Sequence, residues 1–200
     1  MPNESLDEIA AFGIGNLSFY RMCSDFRTHE NFDRVSNKLI FISRVYSVAR
    51  GLGGRWEEIS NAIVSKSGEI DEMISAVSQY EFLENVDEVV RCHQYLDDIV
   101  CNTLREFEVN SVQRASFSSK YLHFHAPDSF PLLDSLAKTG LASLTQGFRT
   151  KLKSPKPYAR FCERLEYFMT EQKLEGTSLR HIDTFLVDKG RSARAKASYT

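Results

Sequence analysis

The apolar residues of this chain recur at helical spacing, and that restricts the fold more than any other feature. Between Phe32 and Ala49 the apolar positions 35, 39, 42, 45/46 and 49 share one face, the period of an amphipathic helix rather than the alternation of a strand. Asn31 or Asp33 can cap its start, and Gly51-Leu52-Gly53-Gly54 stops it. The same reasoning predicts helices near 55–66, 69–79, 86–107, 116–125, 132–145, 157–173 and 178–189, with a first helix over 5–22 broken near Gly13 and Gly15. Turn-flanked alternating segments and internal repeats are absent. The expected fold is all-α, a single domain over 1–188, followed by a frayed basic tail at 189–200.

Two hundred residues can bury a core without staples. Cys23, Cys92, Cys101 and Cys162 are scattered and form no Cys-x-x-Cys pair, so neither a zinc cage nor a redox motif is indicated. The start, Met1-Pro2-Asn3-Glu4-Ser5, has no basic and apolar leader, and no apolar run reaches the roughly 18 residues of a membrane span. A cytoplasmic protein with no membrane partner is expected. The net charge of −2 hides an asymmetry. Residues 1–110 carry 10 Lys and Arg against 19 Asp and Glu, whereas residues 111–200 carry 15 against 8. A basic half often marks a polyanion-binding face. Arg149, Lys151, Lys153, Lys156 and Arg160 crowd 12 residues without an acid, and the prolines among them read as an exposed loop. Lys151, Lys153 and Lys156 are therefore candidate phosphate contacts.

Chemistry concentrates between Arg114 and Ser135, where two histidines, a lysine, serines and two aspartates sit among Phe117, Tyr121, Phe124 and Phe130. Polar groups held against apolar surface lose water, and their proton affinities become adjustable. Phe117, Tyr121 and Phe124 lie at i, i+4 and i+7 and form one buried face, with Lys120 flanking it. Ser116, Ser118 and Ser119 stand at the helix entry, where unpaired N–H groups and the dipole favour a phosphate that Arg114 could clamp. Pro127 ends the helix, and Asp134 falls in the first turn of the next one. Lys120 and Asp134 meet if both helices face one cleft. A lysine beside desolvating aromatics becomes a nucleophile, and a nearby carboxylate can stabilise an oxocarbenium-like centre. Each residue has a plainer reading too, as a surface lysine and a helix-start carboxylate. His123 and His125 point about 200° apart on a helix, too far to share a metal. His93 and Asp97, at i and i+4, read either as an acid–base pair or as a satisfied core histidine with its neighbour.

The run Ser119-Lys120-Tyr121-Leu122-His123-Phe124, followed by Phe130-Pro131-Leu132-Leu133-Asp134-Ser135-Leu136-Ala137-Lys138-Thr139-Gly140-Leu141, resembles the central element of the helix-hairpin-helix DNA glycosylases, closest to their 8-oxoguanine-glycosylase-like branch. The turn that family members usually build with glycine reads Arg-Ala-Ser-Phe-Ser-Ser here, and no cysteine set for an iron–sulfur cluster is present. The resemblance implies an all-helical DNA-binding enzyme without a cofactor or metal. Lys120 would be the lysine that forms a Schiff base with C1′ in bifunctional members, and Asp134 the supporting aspartate. Base excision would proceed by extrusion of a modified nucleotide. Candidate stacking residues are Phe12, Phe19, Tyr20, Phe41, Tyr46 and Trp56. Candidate base-pocket residues are Asn37, Lys38, Arg44, Tyr46, His123 and His125. Some phage-defence members of this branch remove bulky bases such as glucosylated hydroxymethylcytosine, a substrate the resemblance permits. Two alternatives stay open: a non-catalytic helical DNA-binding or regulatory module, and a helical protein whose acidic half docks a basic partner.

Overall fold

A computed structural model describes residues 14–46, 52–109, 114–153 and 156–197. Among them the chain is all-helical: α1 (Ile14–Asp25), α2 (Phe32–Val45), α3 (Trp56–Ser65), α4 (Ser67–Val77), a short 3-10 turn (Phe82–Glu84), α5 (Val86–Glu106), α6 (Ala115–His125), α7 (Ser135–Leu144), α8 (Pro157–Glu171) and α9 (Leu179–Ala197). Local chemistry accounts for several ends. Asn31 caps α2 by accepting the Arg34 N–H, and Pro157 opens α8 where its missing N–H costs nothing.

α6 is the centre of the fold. It packs against α1, α2, α5 and α8, and nine of its eleven residues are buried. A helix covered on nearly every side cannot be amphipathic, so its polar residues must find partners inside the protein. Phe117, Tyr121 and Phe124 enter one continuous core with Phe19, Leu39, Ile63 and Leu96. Each such large apolar side chain contributes roughly 1.5–3 kcal/mol by leaving water.

α7 and α9 pack as a close pair at two glycines. A Cβ on Gly140 would lie 2.0 Å from the Leu186 carbonyl oxygen, and one on Gly190 would lie 2.1 Å from that of Leu136. The contact is reciprocal, so it sets the register of α9 on α7 and hence the position of every α9 side chain that faces the interior.

Three expectations change. α1 runs through Gly15 without a break. α7 starts at Ser135, not near 132, because Asp134 caps it and Pro131 to Leu133 are non-helical. The anticipated tail beyond 189 is helical to Ala197, since Gly190 is buried against α7 and carries the helix past that point. The predicted helices over 5–22 and 32–49 extend partly outside the described residues, as does Phe12. All four cysteines are free and buried. No helix among the described residues is long and apolar enough to cross a membrane.

Candidate functional site

The Lys120 side chain is only 7% exposed. Its Nζ donates to Ser116 Oγ at 2.6 Å, one helical turn back, and lies 6.0 Å from the centre of the Tyr46 ring. Burial lowers its proton affinity, while the Asp134 and Asp183 carboxylates raise it, with burial the stronger influence. The helices therefore bring Lys120 and Asp134 into one electrostatic cluster. Asp134 occupies the N-cap of α7, where Oδ1 accepts from Leu136 N at 2.6 Å and Ala137 N at 3.3 Å. One of its oxygens is thus committed to holding the helix start.

No local pattern pointed to Asp183, 49 positions beyond Asp134 on α9. It is largely buried. Arg180 Nη1 donates to its Oδ2 at 3.1 Å, and its Oδ1 is buried without a hydrogen-bond partner. Burial pushes its carboxyl up to about 6; Arg180 and Lys120 oppose the rise, and Asp134 adds to it. The i, i+3 spacing of Arg180 and Asp183 hinted at a pair, but nothing in the sequence tied that pair to Lys120.

A cavity of about 810 Å³ opens at the C-terminal end of α6, lined by Tyr20, Arg27, Asp71, Phe124, His125 and Arg180 among others; neither Lys120 nor Asp134 belongs to its lining. Arg180 belongs to both regions: its partner Asp183 bears on Lys120, and its own side chain lines the cavity. Tyr20 lines the cavity and donates to His123 Nε2 at 2.6 Å. His123 Nδ1 donates to the Phe130 carbonyl at 2.8 Å. Both ring nitrogens are satisfied in the neutral form, and burial pulls the His123 pKa down to about 4. His125, two residues on, differs: its Nε2 is buried without a partner. Its ring lies 4.8 Å from that of His29, whose Nε2 is also unpartnered, and 5.2 Å from that of Tyr121, whose hydroxyl is likewise unpartnered. His29 Nδ1 donates to Asp71 Oδ1, and the His29 backbone N–H donates to Oδ2.

Other candidates have interior or surface roles. Ser118 and Ser119 are fully buried. Ser118 Oγ donates to Asp97 Oδ1 at 3.1 Å, and Ser119 Oγ donates to Ser116 O and accepts from Leu133 N. Neither is placed to touch a phosphate, because a helix buried on all sides turns its serines inward. Ser116 accepts from Lys120, and Arg114 sits at the N-cap of α6. Lys38 is fully buried and donates to the Phe26 carbonyl, away from the cavity; burial brings its pKa down to about 8. Asn37 is exposed beside a small groove with Phe26 and Ile40, and Arg44 is exposed at the end of α2. Of the proposed base-pocket residues only His125 lines the large cavity. Tyr46 instead faces Lys120 and donates to Asn16.

The basic loop is partly neutralised. Lys156 Nζ pairs with Asp98 of α5 at 3.0 Å, while Glu163 accepts from Thr150 and from the Lys151 backbone N–H. Lys151 and Lys153 keep exposed side chains. His93 and Asp97 are not an acid–base pair: His93 Nε2 donates to the Ala115 carbonyl and stacks on Tyr158, and Asp97 serves Ser118. No cluster of three His, Cys, Asp or Glu among the described residues could hold a metal.

No family model, curated protein or solved structure matches this chain.

Proposed function

We propose that this protein is a DNA glycosylase that removes a modified base by attack of the Lys120 amine on C1′, with or without subsequent strand cleavage. The observation that carries the reading is Lys120 itself, an amine held out of water whose charge the Asp134 and Asp183 carboxylates favour. Desolvation favours the neutral, nucleophilic amine, and the carboxylates favour the cationic centre that develops at C1′. The resemblance around Ser119–Phe124 and Phe130–Leu141 supports the same assignment.

The cavity supports extrusion of a nucleotide with a bulky base. Its volume, about 810 Å³, exceeds what an unmodified base fills, and Tyr20, Phe124 and His125 offer aromatic faces. Arg27, Lys151 and Lys153 are exposed cations available to the backbone.

Duplex and single-stranded oligonucleotides carrying a panel of modified bases, followed by alkali, test the reading. Abasic strand breaks that disappear in Lys120→Ala are the expected result. Salt-dependent DNA binding without any abasic sites, unchanged in Lys120→Ala and Asp134→Asn, would assign a non-catalytic DNA-binding module instead.

A further inference from the structure

The cavity has one corner built for negative charge. Ser178 and Arg180, at the start of α9, both belong to its lining. α9 runs 19 residues with no acid in its first turn. The first N–H groups of a helix have no intrahelical acceptor, and the helix dipole makes that end positive. Ser178 Oγ accepts the His181 N–H at 3.3 Å and fixes the entry. Arg180 adds a guanidinium, and Arg27, exposed on the connection after α1, adds a second from the same lining.

Two of the lining side chains are short of partners. Arg180 gives Nη1 to Asp183 at 3.1 Å, but its Nε is buried without a hydrogen-bond partner. His125 Nε2 is buried without one as well. Such groups are costly unless something outside the fold uses them. The acids in the lining do not cancel the two cations. Both oxygens of Asp71 are taken by His29, which leaves Asp128, exposed on the loop after α6.

The rest of the wall is apolar and aromatic. Leu17 of α1, Ile74 of α4 and Pro127 line it, and the rings of Tyr20 and Phe124 lie 4.5 Å apart beside them. A volume of about 810 Å³ falls within the roughly 300–1,000 Å³ of small-molecule sites. From this arrangement we infer that the cavity is an anion-reading site: it takes a planar ring bearing a phosphate or a carboxylate, with the anion at the start of α9 beside the arginines and the ring against Phe124 and Tyr20. The anion has two possible carriers, a free mononucleotide or a modified base within DNA. For the second carrier the inference rests on the glycosylase reading and names the substituent on the base; for the first it needs no reactive lysine.

Calorimetry with deoxycytidine 5′-monophosphate and with deoxycytidine tests the free carrier. The nucleotide should bind at least about tenfold more tightly than the nucleoside, and inorganic phosphate should compete with it. Fluorescence anisotropy with oligonucleotides carrying 5-carboxycytosine or 5-methylcytosine tests the DNA carrier, the carboxylated base being preferred about tenfold. Whichever preference is found should collapse in Arg180→Gln and in Arg27→Gln. Arg27 is exposed, so Arg27→Gln should keep its melting temperature and decides the matter if loss of the Arg180 contact to Asp183 unfolds the other variant. Equal binding within both pairs of probes, or a preference that survives Arg27→Gln, would overturn the inference. Excision is scored on the same oligonucleotides. Base removal that depends on Lys120, with no preference for the anion, would end the inference and leave the glycosylase reading standing. Anion binding by a protein that removes no base would do the reverse.

Discussion

Two regions packed against α6 handle buried polarity differently. Toward α7 and α9, Lys120 is bonded to Ser116 and its charge is favoured by the Asp134 and Asp183 carboxylates, while Asp183 Oδ1 and Arg180 Nε lack a hydrogen-bond partner. At the cavity end of the helix, His125 Nε2, His29 Nε2 and the Tyr121 hydroxyl all lack one, although only His125 belongs to the cavity lining. Satisfied networks rigidify a protein, whereas unpaired groups cost stability unless something else uses them. The first region has the order that positioned chemistry requires. The second has the volume and unpaired polarity of a receiving site. His123 and His125 mark the contrast within two residues: one has both nitrogens bonded, and the other has a buried nitrogen with no partner.

The largest effect should come from breaking the packing behind the Lys120 region. Gly140→Ala would place a methyl 2.0 Å from the Leu186 carbonyl oxygen, forcing α9 off α7 at about 3 kcal/mol or more. Thermal melts should show that loss, and trapping by Lys120 should fall with it even below the melting point. A Gly140→Ala protein of wild-type stability would show that the close approach of α7 and α9 does not hold Asp183 in place.

Acidification comes next. His93 and His123 protonate near 4 when folded, against an ordinary 6.5. Their contribution is complete above about pH 6.5 and is lost as pH falls toward 4, by up to about 3 kcal/mol per ring. His29 and His125, also lowered by burial, act in the same direction. Asp183 acts oppositely, because its raised carboxyl favours the folded state as pH falls from about 6 to 3.8. Asp97 and Glu166, also raised by burial, act with Asp183, and the four rings outweigh these three carboxyls, so chemical denaturation at pH 4.5 should give a lower unfolding free energy than at pH 7. A rise on acidification would mean that these rings are not held neutral.

A paired substitution sharpens the contrast between the two histidines. His123→Phe strands the Tyr20 hydroxyl and the Phe130 carbonyl and should cost roughly 1–3 kcal/mol. His125→Phe removes an unpartnered nitrogen and should leave the melting temperature unchanged or raise it. Equal losses in both variants would show that the two regions are alike. The smallest effect concerns the surface loop. Lys151→Glu with Lys153→Glu should weaken DNA affinity several-fold and flatten its salt dependence without changing stability, read by fluorescence anisotropy across salt concentrations.

The helices were legible because the apolar period survives wherever one face meets water, as in α2 and α5. α6 was legible for a different reason: its polar residues sit among aromatics with no wet face to occupy. The electrostatic influence of Asp134 on Lys120 could be read because one short connection joins their helices. Asp183 could not, since no local pattern reports how α9 lies on α7; Gly140 and Gly190 decide that only once they are in contact. Ser118 and Ser119 were misread as surface donors because burial of both sides of a helix leaves no periodic trace. Lys38 misled for the opposite reason: its spacing suits a polar face, yet its amine reaches the Phe26 carbonyl inside the protein.

The central claim is that the Lys120 amine attacks the sugar. Borohydride treatment during turnover of a modified-base oligonucleotide, followed by peptide mass spectrometry, tests it most directly. The account predicts a covalent DNA adduct on Lys120 that Lys120→Ala eliminates. An adduct on another residue, or one that persists in Lys120→Ala, would contradict it.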